Sequence, residues 1–202
     1  INDDGNMARR EDLDAFARKH DLKIGTIADL IHYRLLHEKT IDLIEQGEIN
    51  TDHGKFDLHV LKDSTDGATH MALVKGQPIS EEPTLVRVHT GSAVRDMFGA
   101  QLNATPDWNI QRCLAHIAEQ GCGVLVLLAG SNDAKNWLED AQIALGRRSK
   151  PSVLVTKGTD SLTVGVGSQI LRQLGVQKMR LMGPDKHYNG ISGFDLEVVE
   201  YV

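Results

Sequence analysis

The chain has 202 residues, 41% of them hydrophobic and 25% charged, with a formal net charge of -6 and a pI near 5.8. This is room for one large domain, or one and a half small ones, of ordinary globular composition. The acidic balance argues against nucleic acid or an anionic membrane surface as partner, since both need a basic face. No apolar run approaches the roughly 20 residues that cross a bilayer; the longest is Val124 to Ala129.

Residues 1–39 read as helical. The polar, acidic start Ile1-Asn2-Asp3-Asp4-Gly5 is no signal peptide, and a start inside a motif without Met is expected of a piece of a longer protein. Glu11 to His20 places Leu13, Phe16 and Ala17 on one helical face. Thr26 reads as the N-cap of a second helix, with Asp29 in the capping-box position and Ile27, Leu30, Ile31 and Leu35 at helical spacing.

From Thr40 the period changes to two. Ile41, Leu43, Ile44 and Ile49 make a strand, and Phe56, Leu58 and Val60 make another. Met71 and Leu73 answer them after Ser64-Thr65-Asp66-Gly67, a hairpin turn in which Gly supplies positive φ. With the strand Thr84 to His89, residues 40–90 read as an antiparallel β unit, and Lys75 to Pro83 as a mobile linker. The remainder alternates. Thr105-Pro106-Asp107 caps a helix whose buried face is Cys113, Leu114, Ile117 and Ala118 and which Gly121 stops. Strands follow at Val124 to Leu128, Ser152 to Thr156, Met179 to Met182 and Leu196 to Val199, with helices near Ala134 to Leu145 and Val166 to Leu174. The fold class is therefore mixed α+β and α/β: two helices, an antiparallel β unit, then alternating helices and strands.

Cys113 and Cys122 make no disulfide framework and read as free thiols of a reducing cytosol, a bridge or metal pair being the alternative. His53, His59 and His70 could meet across the hairpin but lack a metal-ligand spacing, and read as strand histidines. Arg147-Arg148-Ser149-Lys150 reads as a solvated loop. Arg87 and His89 share one side of a strand. They are either a nucleotide-binding wall or residues paired with a local carboxylate. Gly165 and Gly167 are either a phosphate-cradling loop before a helix or a place of close helix packing. Asp160 with Thr163 reads as the cap of that helix.

Two stretches carry a family resemblance. Asn2-Asp3-Asp4-Gly5-Asn6-Met7-Ala8-Arg9, with Leu22-Lys23-Ile24-Gly25-Thr26-Ile27-Ala28-Asp29-Leu30-Ile31-His32-Tyr33-Arg34, resembles the C-terminal end of 3,4-dihydroxy-2-butanone 4-phosphate synthases. Leu85-Val86-Arg87-Val88-His89, Asp96-Met97-Phe98-Gly99, Gly165 to Val176, Lys178 to Leu181 and Leu196 to Glu200 are similar to GTP cyclohydrolase II. The order is that of bifunctional riboflavin-biosynthesis proteins, and it implies a synthase tail at 1–39 and a cyclohydrolase-II-like domain at 40–202.

The resemblance implies a zinc ion held by three cysteines, whose bound water opens the guanine ring, with release of formate and pyrophosphate. Those positions fall here on Ser92, Asn103 and Thr105, none of them a soft ligand, so zinc is expected to be absent. Of the family's catalytic Asp and Arg, the Asp survives as Asp160 and the Arg falls on Leu162, which cannot attack or stabilise a phosphoryl group; the family's tyrosine falls on Val164. The Glu-Gly-Arg-rich loop is replaced by Ala129 to Asn136, and a late nucleotide-binding Lys maps to Lys186. Vestigial nucleotide contacts are thus Arg87, His89 and Lys186. The synthase's magnesium site belongs to residues that would precede Ile1, so no cofactor is expected in this chain.

The expectation is a cytoplasmic, non-catalytic module that regulates or oligomerises an attached synthase domain, its partner in a homodimer. Two alternatives stand beside it. One is an active GTP cyclohydrolase II using an unusual metal or none. The other is a stable core whose only task is to hold a dimer together.

Overall fold

The computed structural model describes residues 5–26, 29–30, 33–34, 37–79, 81–100, 108–129, 159–184 and 191–202, with backbone alone at 93–94, 159–162 and 192. The chain divides into two compact units, Ile1–Glu38 and Lys39–Val202.

In the first unit, helix α1 spans Arg10–Lys19, with Glu11 and Asp12 in its first turn and Arg18 and Lys19 in its last. This polarity opposes the helix dipole at both ends. Asp12 also accepts a hydrogen bond from the Arg9 N–H at 2.8 Å. The helix stops where Asp21 takes a left-handed φ of 49°, which returns the Leu22 N–H to the Ala17 carbonyl. Of the predicted apolar face only Ala17 is buried within the unit; Leu13 and Phe16 are exposed. The capping box is present as read. The Asp29 N–H donates to Thr26 Oγ1 at 3.0 Å, and the Thr26 N–H donates to the Asp29 carboxylate at 3.1 Å.

The second unit runs β1 Ile41–Thr51, β2 Gly54–Asp63, β3 Thr69–Lys75, β4 Thr84–Thr90, α2 Ala93–Asp96, α3 Ile110–Gln120, β5 Gly123–Leu128, α4 Thr159–Gln173, β6 Lys178–Leu181, a 3-10 turn Ile191–Phe194, and β7 Glu197–Tyr201. Its strands make one seven-stranded sheet in the order β1-β2-β3-β5-β4-β6-β7. The β2–β3 turn is the one the sequence announces: Gly67 has φ 77° and its N–H closes onto the Asp63 carbonyl at 2.8 Å.

One strand departs from expectation. β4 does not join the antiparallel unit; it pairs in parallel with β5 and with β6, while β3 pairs antiparallel with β5. The reason is connectivity. The β4 chain returns through α3 to β5, and a helical crossover delivers a parallel neighbour. The stretch read as a linker is accordingly the β3–β4 connection inside this unit. There Gly76, at φ 69°, lies so close to Gly121 and Cys122 that an added Cβ would come within 2.7 Å of the Gly121 carbonyl oxygen.

α3 carries the face the sequence assigns to it. Cys113, Leu114 and Ile117 pack with Phe56, Leu85, Leu125 and Met182 on one side of the sheet, and Ala118 packs against this cluster. Its N-cap is Asn109, whose side chain accepts from the Arg112 N–H at 2.8 Å. Thr105 and its neighbours 101–107 lie outside the described residues. Gly121 ends the helix in the left-handed region, as read. α4 covers the opposite face and begins at Thr159, seven residues before the predicted start. Gly165 and Gly167 therefore sit inside a helix, not in a loop ahead of it. The reason for Gly167 is packing, since a Cβ there would press on Val88 at 3.1 Å. Asp160 and Thr163 belong to this helix by their backbone. With a helix on each face, β5 is buried on both sides, which explains the unbroken apolar run Val124 to Leu128.

The predicted helix at 134–145, the strand at 152–156 and the basic run at 147–150 fall outside the described residues. Among the described residues, no helix is long and apolar enough to cross a membrane.

Candidate functional site

In a sheet of this kind ligands collect at the carboxyl ends of adjacent parallel strands whose following helices lie on opposite faces. β4 and β5 are such adjacent parallel strands, with α3 packed on one face of the sheet and α4 on the other. Their ends are in register, His89 opposite Leu127 and Thr90 opposite Leu128. The site to inspect is therefore the end of β4 and the turn after it.

His89 lies on the α3 face with none of its surface exposed. Its Nε2 is 2.8 Å from the Asp96 carboxylate. Ser92 immediately precedes the short helix α2, with its Oγ 3.4 Å from the Arg95 N–H, and this turn brings Asp96 back over the strand end. Asp96 also accepts from the Ser92 N–H at 2.8 Å and from the Ile110 N–H at 3.4 Å. The carboxylate thus ties β4, α2 and the start of α3 together. Arg95 completes the cluster. Its Nη2 donates to the Thr90 carbonyl at 2.9 Å and lies 3.1 Å from His89 Nε2, and its Nε lies 3.5 Å from the Asp96 carboxylate. Side-chain exposure is 0% for His89, 7% for Asp96 and 16% for Arg95.

The electrostatics follow from that geometry. Burial alone would raise the Asp96 carboxyl, but the hydrogen bonds from His89 and Ser92 and the neighbouring cation outweigh it and hold the group at about 2. Burial pushes the His89 imidazole below its ordinary value. The Asp96 carboxylate opposes this, and Arg95 and Arg87 reinforce it. The resulting cluster is a neutral imidazole, a carboxylate and a guanidinium: a buried ion pair with a histidine wedged against it. A general base must reach its substrate, and a sealed His89 reaches none.

Of the other positions the sequence singled out, Arg87, Thr163, Val164 and Gly167 are brought together around one cavity. Arg87 extends Nη1 to the Met182 carbonyl at 2.7 Å, in space that Gly183 leaves open, since a Cβ there would meet this nitrogen at 2.9 Å. Asp160 and Leu162 belong to α4 by their backbone, and their side chains are not described. Lys186, Asn103 and Thr105 lie outside the described residues. Val164 lines a cavity of about 210 Å³ between α4 and the sheet, with Arg87, Val88, Thr90, Thr163 and Gly167 around it. Its wall is mainly apolar, and His89, on the opposite face of β4, takes no part in it.

The hairpin histidines do not converge. His53 Nε2 meets Gln111 at 3.1 Å, and His70 Nδ1 accepts from the Ala129 N–H at 3.1 Å. In the sheet His59 pairs with Ala72 and His70 with Leu61. Both thiols are free, and burial pushes Cys113 up to about 11. Among the described residues no group of three or more His, Cys, Asp or Glu side chains could hold a metal ion. Among the described residues at the end of β4 the donors are one imidazole, one carboxylate and one hydroxyl, with a guanidinium among them. That set does not fit zinc, which asks for three or four thiolate, imidazole or carboxylate ligands. The sequence reading anticipated a local carboxylate for His89. It missed Arg95, whose one signal is a cation next to that acid.

Comparison with known proteins shows what the chain is similar to. Residues 42–202 match the family model of GTP cyclohydrolase II, and residues 1–33 match that of 3,4-dihydroxy-2-butanone 4-phosphate synthase. The chain is 46% identical over 203 residues to a 3,4-dihydroxy-2-butanone 4-phosphate synthase of Pseudomonas aeruginosa, covering 100% of the chain and 54% of the relative. It is 37% identical over 217 residues to the riboflavin biosynthesis protein RibBA of Aquifex aeolicus, covering 100% of the chain and 51% of the relative. Among solved structures it resembles RibBX, a two domain 3,4-dihydroxy-2-butanone 4-phosphate synthase from A. baumannii, with 39% identity and a TM-score of 0.61, over 100% of this chain and 51% of that one. The chain spans about half the length of these relatives.

Proposed function

This chain belongs to the GTP cyclohydrolase II family, and we propose that residues 40–202 are a non-catalytic member of it: a regulatory or oligomerisation module of a riboflavin-biosynthesis protein. Its working half is a 3,4-dihydroxy-2-butanone 4-phosphate synthase domain, to which residues 1–39 belong as the tail. One observation carries the reading. Where the family resemblance puts the first zinc thiolate, this chain has Ser92, which starts a helical turn, and the neighbouring space holds the Arg95–Asp96–His89 cluster. A hydroxyl and an ion pair give no Lewis acid to activate water.

The reading draws support from two further facts. The relatives at 46% and 44% identity carry the synthase name alone, although the match to them covers the whole chain, including the part that matches the cyclohydrolase family model. In the first unit Phe16, Leu22, Ile24, Leu30 and Tyr33 are exposed, an apolar surface suited to packing within a larger synthase domain. The proposed protein is cytoplasmic and homodimeric, uses magnesium in its synthase half and holds no zinc in this one.

The test is an assay of the intact protein for synthase activity and for GTP turnover, beside a version lacking residues 40–202. The proposal expects no formate from GTP, and a synthase whose rate or size in solution changes on truncation. Formate release with one zinc per chain would establish an active cyclohydrolase instead. A synthase indifferent to truncation in both rate and size would remove the regulatory and oligomeric roles.

A further inference from the structure

Protein interiors leave few voids larger than a water molecule, yet about 210 Å³ stand open between α4 and the sheet. An engineered apolar cavity of about 150 Å³ is enough to bind benzene. The wall here is built from Val88, Val164, Leu171, Met179, Leu181 and Leu196, and the last four are buried. One polar group is set deep among them. Ser168, on α4, is 4% exposed and lines the cavity. Among the described residues its hydroxyl has no hydrogen-bond partner. A buried hydroxyl in that condition costs free energy until something bonds to it. The other hydroxyls of the lining belong to Thr163 and the exposed Thr90. Arg87 is the cation among the described lining residues, and its guanidinium lies on the α3 side of the sheet, where Nη1 donates to the Met182 carbonyl at 2.7 Å.

We propose that this cavity binds an uncharged, mainly apolar molecule of one or two rings, whose single hydrogen-bonding group meets Ser168. Apolar enclosure with a few placed polar groups is the usual build of a small-molecule site. The absence of charge in the wall sets the class. A carboxylate or phosphate held here would lose its water and gain no counter-charge, so a nucleotide is excluded by its phosphates as well as by its size. The inference rests on the reading of residues 40–202 as a regulatory module, to which it supplies a ligand site.

The experiment titrates phenol, indole, toluene and benzoate into the intact protein and its variants S168A and V164F, with binding read by calorimetry and folding by circular dichroism. Phenol, indole and toluene should bind in the millimolar range or tighter. Neither benzoate nor GTP should compete with phenol. S168A removes one hydroxyl from a helix, a change Ala suits. It should weaken phenol about fivefold, the worth of one neutral hydrogen bond, and leave toluene unchanged. V164F grows a ring into the space and should abolish binding of all three. If V164F does not fold, the S168A comparison of phenol with toluene decides. Competition by benzoate or GTP overturns the proposal, and so does phenol binding that S168A leaves intact or that a folded V164F retains. Failure here is distinct from failure of the functional reading. A folded wild type that ignores phenol and indole ends this inference and leaves the module non-catalytic, whereas formate from GTP ends the reading beneath it.

Discussion

Replacing Asp96 by Asn should be among the most damaging single-atom-scale changes in this unit. The ionised carboxylate is held at about 2, against an ordinary value of 3.8. At about 1.4 kcal/mol per pH unit this is about 2–3 kcal/mol of preferential stabilisation. Asn keeps the shape and one acceptor, but it leaves Arg95 beside His89 with no anion. Stripping one partner from a buried pair brings the total to about 3 kcal/mol. Urea denaturation at pH 7 should show it as a midpoint lowered by about 1–2 M with the slope unchanged. The sign with pH is fixed by the depressed pKa. The Asp96 contribution is complete above pH 3.8 and is lost as pH falls through about 2, so the gap between wild type and D96N should close over that acid window. A loss below about 0.5 kcal/mol at pH 7, the range of an ordinary surface change, would refute the buried-pair argument.

Three further outcomes follow from other parts of the fold. Gly123→Ala would put a Cβ within 2.9 Å of both Ile117 Cγ1 and the Leu85 carbonyl oxygen, and thermal unfolding should register a cost of about 1–3 kcal/mol. Asn109→Ala removes the side chain that accepts from the Arg112 N–H and should cost about 1 kcal/mol, with Asn109→Ser recovering most of it. Burial lowers the imidazoles of His59, His70 and His89 below 6.5. The unfolded chain then binds more protons, and stability should fall as pH drops below 6.5, before the carboxylates titrate; a flat denaturation midpoint between pH 7 and 5 would contradict this.

Local signals were legible where the partner lies nearby in sequence. The Thr26–Asp29 capping box, the Asp66-Gly67 turn and the Gly121 stop are each decided within a few residues, and the structure has all three. The doubly buried β5 was also visible, because helices on both faces demand an unbroken apolar run. The parallel placement of β4 was not, since strand order is fixed by a crossover and not by the strand's own residues. The early start of α4 was hidden by Gly165 and Gly167, which read as either a loop or a place of close helix packing, and the second reading is the one the structure has. Gly167 is a small residue that lets the helix settle on Val88. At the candidate site, the resemblance drew attention to Ser92, and one of the two readings of His89 was a nearby carboxylate, which Asp96 supplies. Neither told that Arg95 would fold back onto that pair, because the turn that returns it depends on Ser92, Asp96 and Ile110 together.

The most direct test is a single preparation of the intact protein, reconstituted with excess Zn²⁺, passed through a desalting column and given GTP. Metal content and formate are measured on the same sample. A non-catalytic module should retain far less than one zinc per chain and release no formate above a protein-free control. One zinc retained per chain, with formate formed in proportion to enzyme, would contradict it.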